Sequence, residues 1–183
     1  MPNIQPIDTQ NPGDAAEAVA AVKQAMGTIP NIFATMAHSP AVLEGFLAFN
    51  GSLAGGTLSP AVREQIALTI AGANTCDYCA SAHTLLAKGA GLDEAEAARN
   101  LRGEASDARV QAILGFVQNA VANRGKVASD DVSALRASGV SDAEIVEIVA
   151  HIGVNIFTNY FNHIAATDVD FPLVSSVVNG QAA

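Results

Sequence analysis

The chain contains two cysteines, Cys76 and Cys79, three positions apart. That is too few and too close for a secreted disulfide framework, and in a reducing compartment such a pair is redox-active or metal-binding. On a helix, residues three apart face the same way, so the two sulfurs can approach closely enough to form and break a disulfide. His83 lies four residues past Cys79 and falls on the same stripe. The thiolate is the reactive form of a cysteine, and both a helix N-terminus and a neighbouring imidazolium favour it. Cys79, one turn from His83, is therefore the expected attacking sulfur. Cys76, nearer the helix start, is the expected resolving one.

Glu64 joins this group through the rise of a helix. Two antiparallel helices that turn near Ala73-Asn74 place Glu64 about nine residues before the turn and His83 about nine after it, each roughly 14 Å along its own helix. A carboxylate at that height would orient and polarise the imidazole, and the pair would move protons for a peroxide leaving group. Taken singly, Glu64 reads as a solvated helix residue and His83 as a satisfied histidine; only their joint spacing lifts them above that. The same four side chains could also ligate zinc, although no second CxxC is present. No cofactor and no metal is assigned.

These residues need helices to hold them, and the chain reads as all-α. Asp14 is the expected cap of a helix ending at Gly27, Pro30 opens a short segment to His38, and Ser39-Pro40 starts a helix that stops at Gly55-Gly56. Ser59-Pro60 repeats that start signal, with Ile66, Ile70 and Ala73 at helical spacing up to a break at Asn74-Thr75. The next helix begins at the cysteines and runs to Gly89 and Gly91. Asp93 begins a short polar helix, and Val110, Ile113, Leu114, Val117 and Val121 mark a longer amphipathic one closed by Gly125. Ser141 and Glu144 have capping-box spacing and start a helix that is apolar on several faces, as expected of a central core helix or a subunit interface. Its asparagines, Asn155, Asn159 and Asn162, are expected to cap backbone or line a pocket. His38, His151 and His163 have no partner at readable spacing and are expected to be structural.

The 183 residues fit one core, and no linker divides them, so a single domain over 1–183 is expected, with irregular ends at 1–13 and 173–183. A formal charge of −9 would repel a phosphate backbone, which argues against nucleic acid and anionic membrane surfaces as partners. The opening MPNIQPIDTQNPGD lacks the basic start and apolar run of a secretory signal, and no uninterrupted stretch reaches the roughly 18 apolar residues of a membrane span. The expected location is cytoplasmic.

Glu64, eleven residues, Cys76, two residues, Cys79, three residues and His83 together resemble the core motif of the AhpD-like and carboxymuconolactone decarboxylase-like superfamily. The resemblance covers 59–92 and reaches more loosely from Ser141 to Pro172, including Asn159, Tyr160, Asn162 and Asp170-Phe171-Pro172. It implies an all-helical homo-oligomer, with a thiol-dependent peroxidase site at Glu64, Cys76, Cys79 and His83. A hydroperoxide or disulfide would be the substrate, and a protein dithiol would return the electrons. One position departs from the pattern: Tyr78 stands where the characterised peroxidase carries a second histidine, and a phenol with an unperturbed pKa near ~10 is a poor base at neutral pH. Two other readings stay open. A lyase of the same superfamily would not depend on thiols, and a non-enzymatic module could couple its oligomeric state to the disulfide.

Overall fold

The computed structural model describes residues 1–177, and every regular element among them is helical. A short 3-10 turn at Gly13–Ala15 leads into α1 (Ala16–Met26), followed by α2 (Asn31–Met36), α3 (Pro40–Ala54), α4 (Pro60–Ala73) and α5 (Asp77–Gly89). The chain continues through α6 (Glu94–Asn100), α7 (Ala108–Ala122), α8 (Ser129–Ala137) and α9 (Asp142–Ala165). Residues 178–183 of the expected irregular tail lie outside the described residues.

Several helix starts follow their caps. Ser59 Oγ accepts from the Val62 N–H at 3.3 Å and Asp93 Oδ1 from the Glu96 N–H at 2.7 Å. At α9 the capping box is complete: Ser141 Oγ accepts from the Glu144 N–H at 3.3 Å, and the Ser141 N–H donates to Glu144 Oε2 at 2.9 Å. Two expected caps take another form. Asp14 falls inside the 3-10 turn and α1 begins at Ala16 with no side-chain cap. Ser39 sits at the N-cap of α3, but its hydroxyl makes no capping bond, so the fixed φ of Pro40 marks that start. The sequence reading also missed α8, which buries only Leu135 and so shows no apolar stripe.

The central element is α4, which packs against α5, α6, α7 and α9. Every residue from Gln65 to Ala71 is buried, so this helix meets protein on all sides. Its Gly72 lies so close to the Leu101 carbonyl that a Cβ there would collide with backbone. One apolar cluster joins α1, α2 and α3 to α5; another joins α4 to α7, α8 and α9.

Two anchors fix α9 beside α4. At one end Glu147 accepts from the backbone N–H groups of Thr57 and Leu58 at 2.7 and 2.9 Å, and Gly56 leaves room for that carboxylate. At the other, Asn74 Nδ2 donates to Asn159 Oδ1 at 3.1 Å, and His163 Nε2 bonds the Asn74 carbonyl at 2.9 Å. The two helices therefore run parallel. The face of α9 away from α4 leaves Val146, Val149, Tyr160 and Ile164 more than half exposed, so α9 is not buried all round.

Candidate active site

The turn between α4 and α5 is short and tightly bonded. Asn74 ends α4, Thr75 takes the left-handed conformation (φ 52°), and the Cys76 N–H donates to the Ala71 carbonyl at 2.9 Å. Cys76 is the N-cap of α5, and its Sγ accepts from the Cys79 N–H at 3.2 Å. Cys79 lies in the first helical turn. The two residues are joined as a disulfide, with Cα atoms 5.3 Å apart, inside the usual range for such a bond. Both are buried at 2 % exposure.

The reversal of direction at this turn brings Glu64 and His83 level, as helix rise alone requires. Glu64 Oε2 lies 2.8 Å from His83 Nδ1, with about a fifth of each side chain exposed. This bond holds the imidazole so that Nε2 is the nitrogen left for other work.

Cys79, Glu64 and His83 all line one pocket of about 270 Å³ between α4, α5 and α9. Cys76 does not line it. The outer walls are aromatic and aliphatic, from Phe33, Phe46, Leu86 and Phe171 among others. The inner wall is polar: α9 contributes His151, Asn155, Thr158 and Asn162. Asn162 Nδ2 donates to Cys79 Sγ at 3.4 Å. An amide donor on that sulfur stabilises negative charge there, and the first turn of a helix does the same. The sulfur that faces the pocket thus has a donor beside it and an imidazole one turn away.

Tyr78, between the cysteines, also lines the pocket, but its hydroxyl is bonded into the fold. Its hydroxyl donates to Asp170 Oδ1 at 2.8 Å and accepts from the Ile32 N–H at 3.2 Å. The Asp170 Oδ2 atom in turn accepts from the Asn31 N–H at 2.8 Å, capping α2. Phe171 meets the tyrosine ring edge-on at 5.5 Å. Burial, reinforced by the Asp170 carboxylate, pushes the phenol above its ordinary range and outweighs the opposing Ile32 bond. Tyr78 is thus a clamp between α2, α5 and the segment after α9, and its hydroxyl has no hydrogen left for a relay.

The remaining histidines separate sharply. His38 Nε2 bonds the Gln5 carbonyl at 2.8 Å and His163 the Asn74 carbonyl, so both have structural partners. His151 is 5 % exposed and lines the pocket, and its Nε2 has no partner among the described residues. Sequence reasoning passed over it, although His151, Asn155 and Asn162 share one stripe of an apolar helix. Among the described residues no group of three or more His, Cys, Asp or Glu side chains is arranged to hold a metal ion, and no helix is long and apolar enough to cross a membrane.

Comparison with known proteins agrees with this architecture. Residues 40–123, spanning α3 to the end of α7, match the model of the carboxymuconolactone decarboxylase family. No curated protein matches by sequence. An uncharacterized peroxidase-related protein with an alkylhydroperoxidase AhpD core, from Ralstonia eutropha JMP134, superposes with a TM-score of 0.83 at 23% identity, over 92% of each chain. An uncharacterized peroxidase-related protein from Silicibacter sp. TM1040 gives 0.77 at 22%, over 91% of this chain and 92% of its own. The debrominase Bmp8, solved with 2,3,4-tribromopyrrole, gives 0.78 at 17%, over 92% of this chain and 91% of its own. At such identities the likeness is one of fold, and the family match covers the segment that holds all four motif residues.

Proposed function

We propose that this protein is a thiol-dependent reductase of organic hydroperoxides. The observation that carries the reading is the company of Cys79: it lines the same pocket as the bonded Glu64 and His83, and Asn162 donates to its sulfur. A pocket with aromatic outer walls favours a hydroperoxide with a bulky apolar body.

In the reduced protein the Cys79 thiol gives its proton to the His83–Glu64 pair. The thiolate attacks the terminal oxygen of ROOH, an S–O bond forms as the O–O bond breaks, and RO⁻ leaves with the proton returned by His83. Cys79 is then a sulfenic acid. The Cys76 thiol condenses with it to release water and give the disulfide present in this structure. A protein dithiol returns the pair to thiols by exchange. The sum is ROOH plus a dithiol going to ROH, water and a disulfide.

Because Cys76 and Cys79 are both buried, the exchange step requires local opening at the start of α5. The exposed apolar face of α9, with Val146, Val149, Tyr160 and Ile164, supports a homo-oligomer assembled through that helix. A second substrate reading draws on the aromatic walls: a planar halogenated ring also fits Phe33, Phe46 and Phe171, and the same thiols would convert ring–Br and a dithiol to ring–H, HBr and a disulfide.

The test is the consumption of cumene hydroperoxide by full-length protein with a dithiol donor. Cys79→Ser is expected to drop turnover to the uncatalysed background. Turnover that survives the substitution, or that resists alkylation of both thiols, would eliminate the mechanism and favour the lyase reading.

A further inference from the structure

His151, Asn155, Thr158 and Asn162 follow one another at steps of four, three and four residues, which places them on one stripe of α9. All four are buried and all four line the pocket. Three of them make hydrogen bonds within the protein. Asn155 Nδ2 donates to the His151 carbonyl at 2.8 Å, Thr158 Oγ1 to the Asn155 carbonyl at 3.0 Å, and Asn162 to Cys79. The His151 Nε2 has no such partner, and the Asn162 Oδ1 is likewise unpartnered among the described residues.

A buried polar atom left without a hydrogen bond costs about 1–3 kcal/mol. A leucine at 151 would carry no such cost, and because the imidazole lines the pocket, a molecule that enters there can supply the missing partner. Its height in the fold says what it would meet. Because α9 runs parallel to α4, with residue 147 beside 57 and 58 and residue 159 bonded to 74, interpolation along the two helices sets His151 level with Glu64 to within about one turn. His83 is bonded to Glu64 from α5. His151 and His83 therefore stand on different walls of one chamber, with Cys79 one turn from His83.

The charged and titratable groups around the ring are Arg63 and Glu64 on α4, His83 on α5 and Glu147 on α9 itself. Burial, with help from Arg63 and His83, holds the imidazole below its ordinary range against the opposing pull of Glu147 and Glu64. A neutral imidazole has one N–H donor and one acceptor to offer.

We propose that His151 is a substrate-contacting residue, its imidazole N–H donating to the oxygen that leaves as Cys79 attacks the hydroperoxide. This assignment rests on the hydroperoxide reading above. The contact transfers no net proton, since the thiol proton still reaches the alkoxide through His83 and Glu64; it stabilises charge as the O–O bond breaks. It also provides the second polar wall that Tyr78, bound to Asp170 and Ile32, does not.

The experiment uses full-length protein carrying His151→Leu or His151→Gln, with two readouts. The first is cumene hydroperoxide turnover with dithiothreitol, and the second is the affinity of the oxidised protein for cumyl alcohol, the reaction product, by NMR titration. His151→Leu is expected to lower kcat/KM and weaken cumyl alcohol binding, each by about tenfold, as for one lost hydrogen bond, while folding at least as stably as the parent. His151→Gln, which keeps an N–H donor, is expected to recover part of both. If the parent protein consumes no hydroperoxide yet binds cumyl alcohol in a manner that depends on residue 151, the hydroperoxide reading falls and the contact stands. Binding that is indifferent to residue 151, or absent in the parent, overturns the contact whatever the turnover.

Discussion

Tyr78 and His151 are buried polar side chains on the same pocket, and the protein treats them in opposite ways. The tyrosine hydroxyl has a donor and an acceptor supplied by the fold, from Ile32 and Asp170. The histidine Nε2 has neither among the described residues. Position next to the cysteines in sequence would have favoured Tyr78 as the working group, and burial on a distant helix would have marked His151 as inert. Hydrogen-bond accounting reverses both. A buried group whose partners are all protein is committed to the fold, whereas a buried group facing a cavity without partners has its chemistry still free for a ligand.

That contrast can be broken or sharpened by substitution. The largest effect is expected at the residue both accounts share. His83→Gln keeps a polar side chain near Glu64 but removes the titrating imidazole, and kcat for cumene hydroperoxide should fall by about 10²-fold or more. A rate within a few-fold of the parent would place the proton transfer elsewhere.

An intermediate effect is expected at Tyr78. Tyr78→Phe removes one hydroxyl and leaves the Ile32 N–H without that acceptor and Asp170 Oδ1 without that donor, a loss of about 1–3 kcal/mol in stability. Thermal unfolding should register it as a drop of roughly 2–4 °C for each kcal/mol. Turnover below the unfolding transition should change little, in contrast to His151→Leu, which should lower turnover and leave stability intact. The two variants giving the same pattern would erase the distinction.

The smallest effect is in acid stability. The His151 imidazole is held below its ordinary range in the folded protein, while the unfolded chain takes up that proton near pH ~6.5. Below that pH the unfolded state binds more protons, so stability falls as pH drops from about 6.5 toward the folded value. Replacing His151 by Leu removes this part of the pH dependence. The Tm difference between pH 7 and pH 5.5 should shrink by on the order of a few °C in the variant; an unchanged difference would mean that His151 is not held neutral.

The sequence made one half of the site readable and hid the other for a physical reason. Glu64 and His83 could be paired because a single turn joins their helices, so helix rise and the break at Asn74-Thr75 were sufficient. Ser59, Asp93 and Ser141 announced their helices through side-chain caps, and the cysteines announced the start of α5. The other half depends on how α9 registers against α4, which is fixed by Glu147 and Asn159 across more than 80 residues of chain. No local pattern specifies that register, so His151 could not be set beside Glu64. The polar stripe from His151 to Asn162 in an otherwise apolar helix was the available signal. The missed α8 shows the complementary case, since a helix that buries a single leucine leaves no apolar periodicity. Asp107 capped α7 without being noticed, its Oδ1 accepting from the Val110 N–H at 2.9 Å.

The central claim is that Cys79 is the sulfur that meets the substrate. The direct measurement is the trapping of sulfenic acid by dimedone, read by mass spectrometry, after one equivalent of cumene hydroperoxide is added to the reduced single-serine variants. The account predicts an adduct on Cys79 in Cys76→Ser and an unmodified Cys76 in Cys79→Ser. An adduct on Cys76 with none on Cys79 would contradict it.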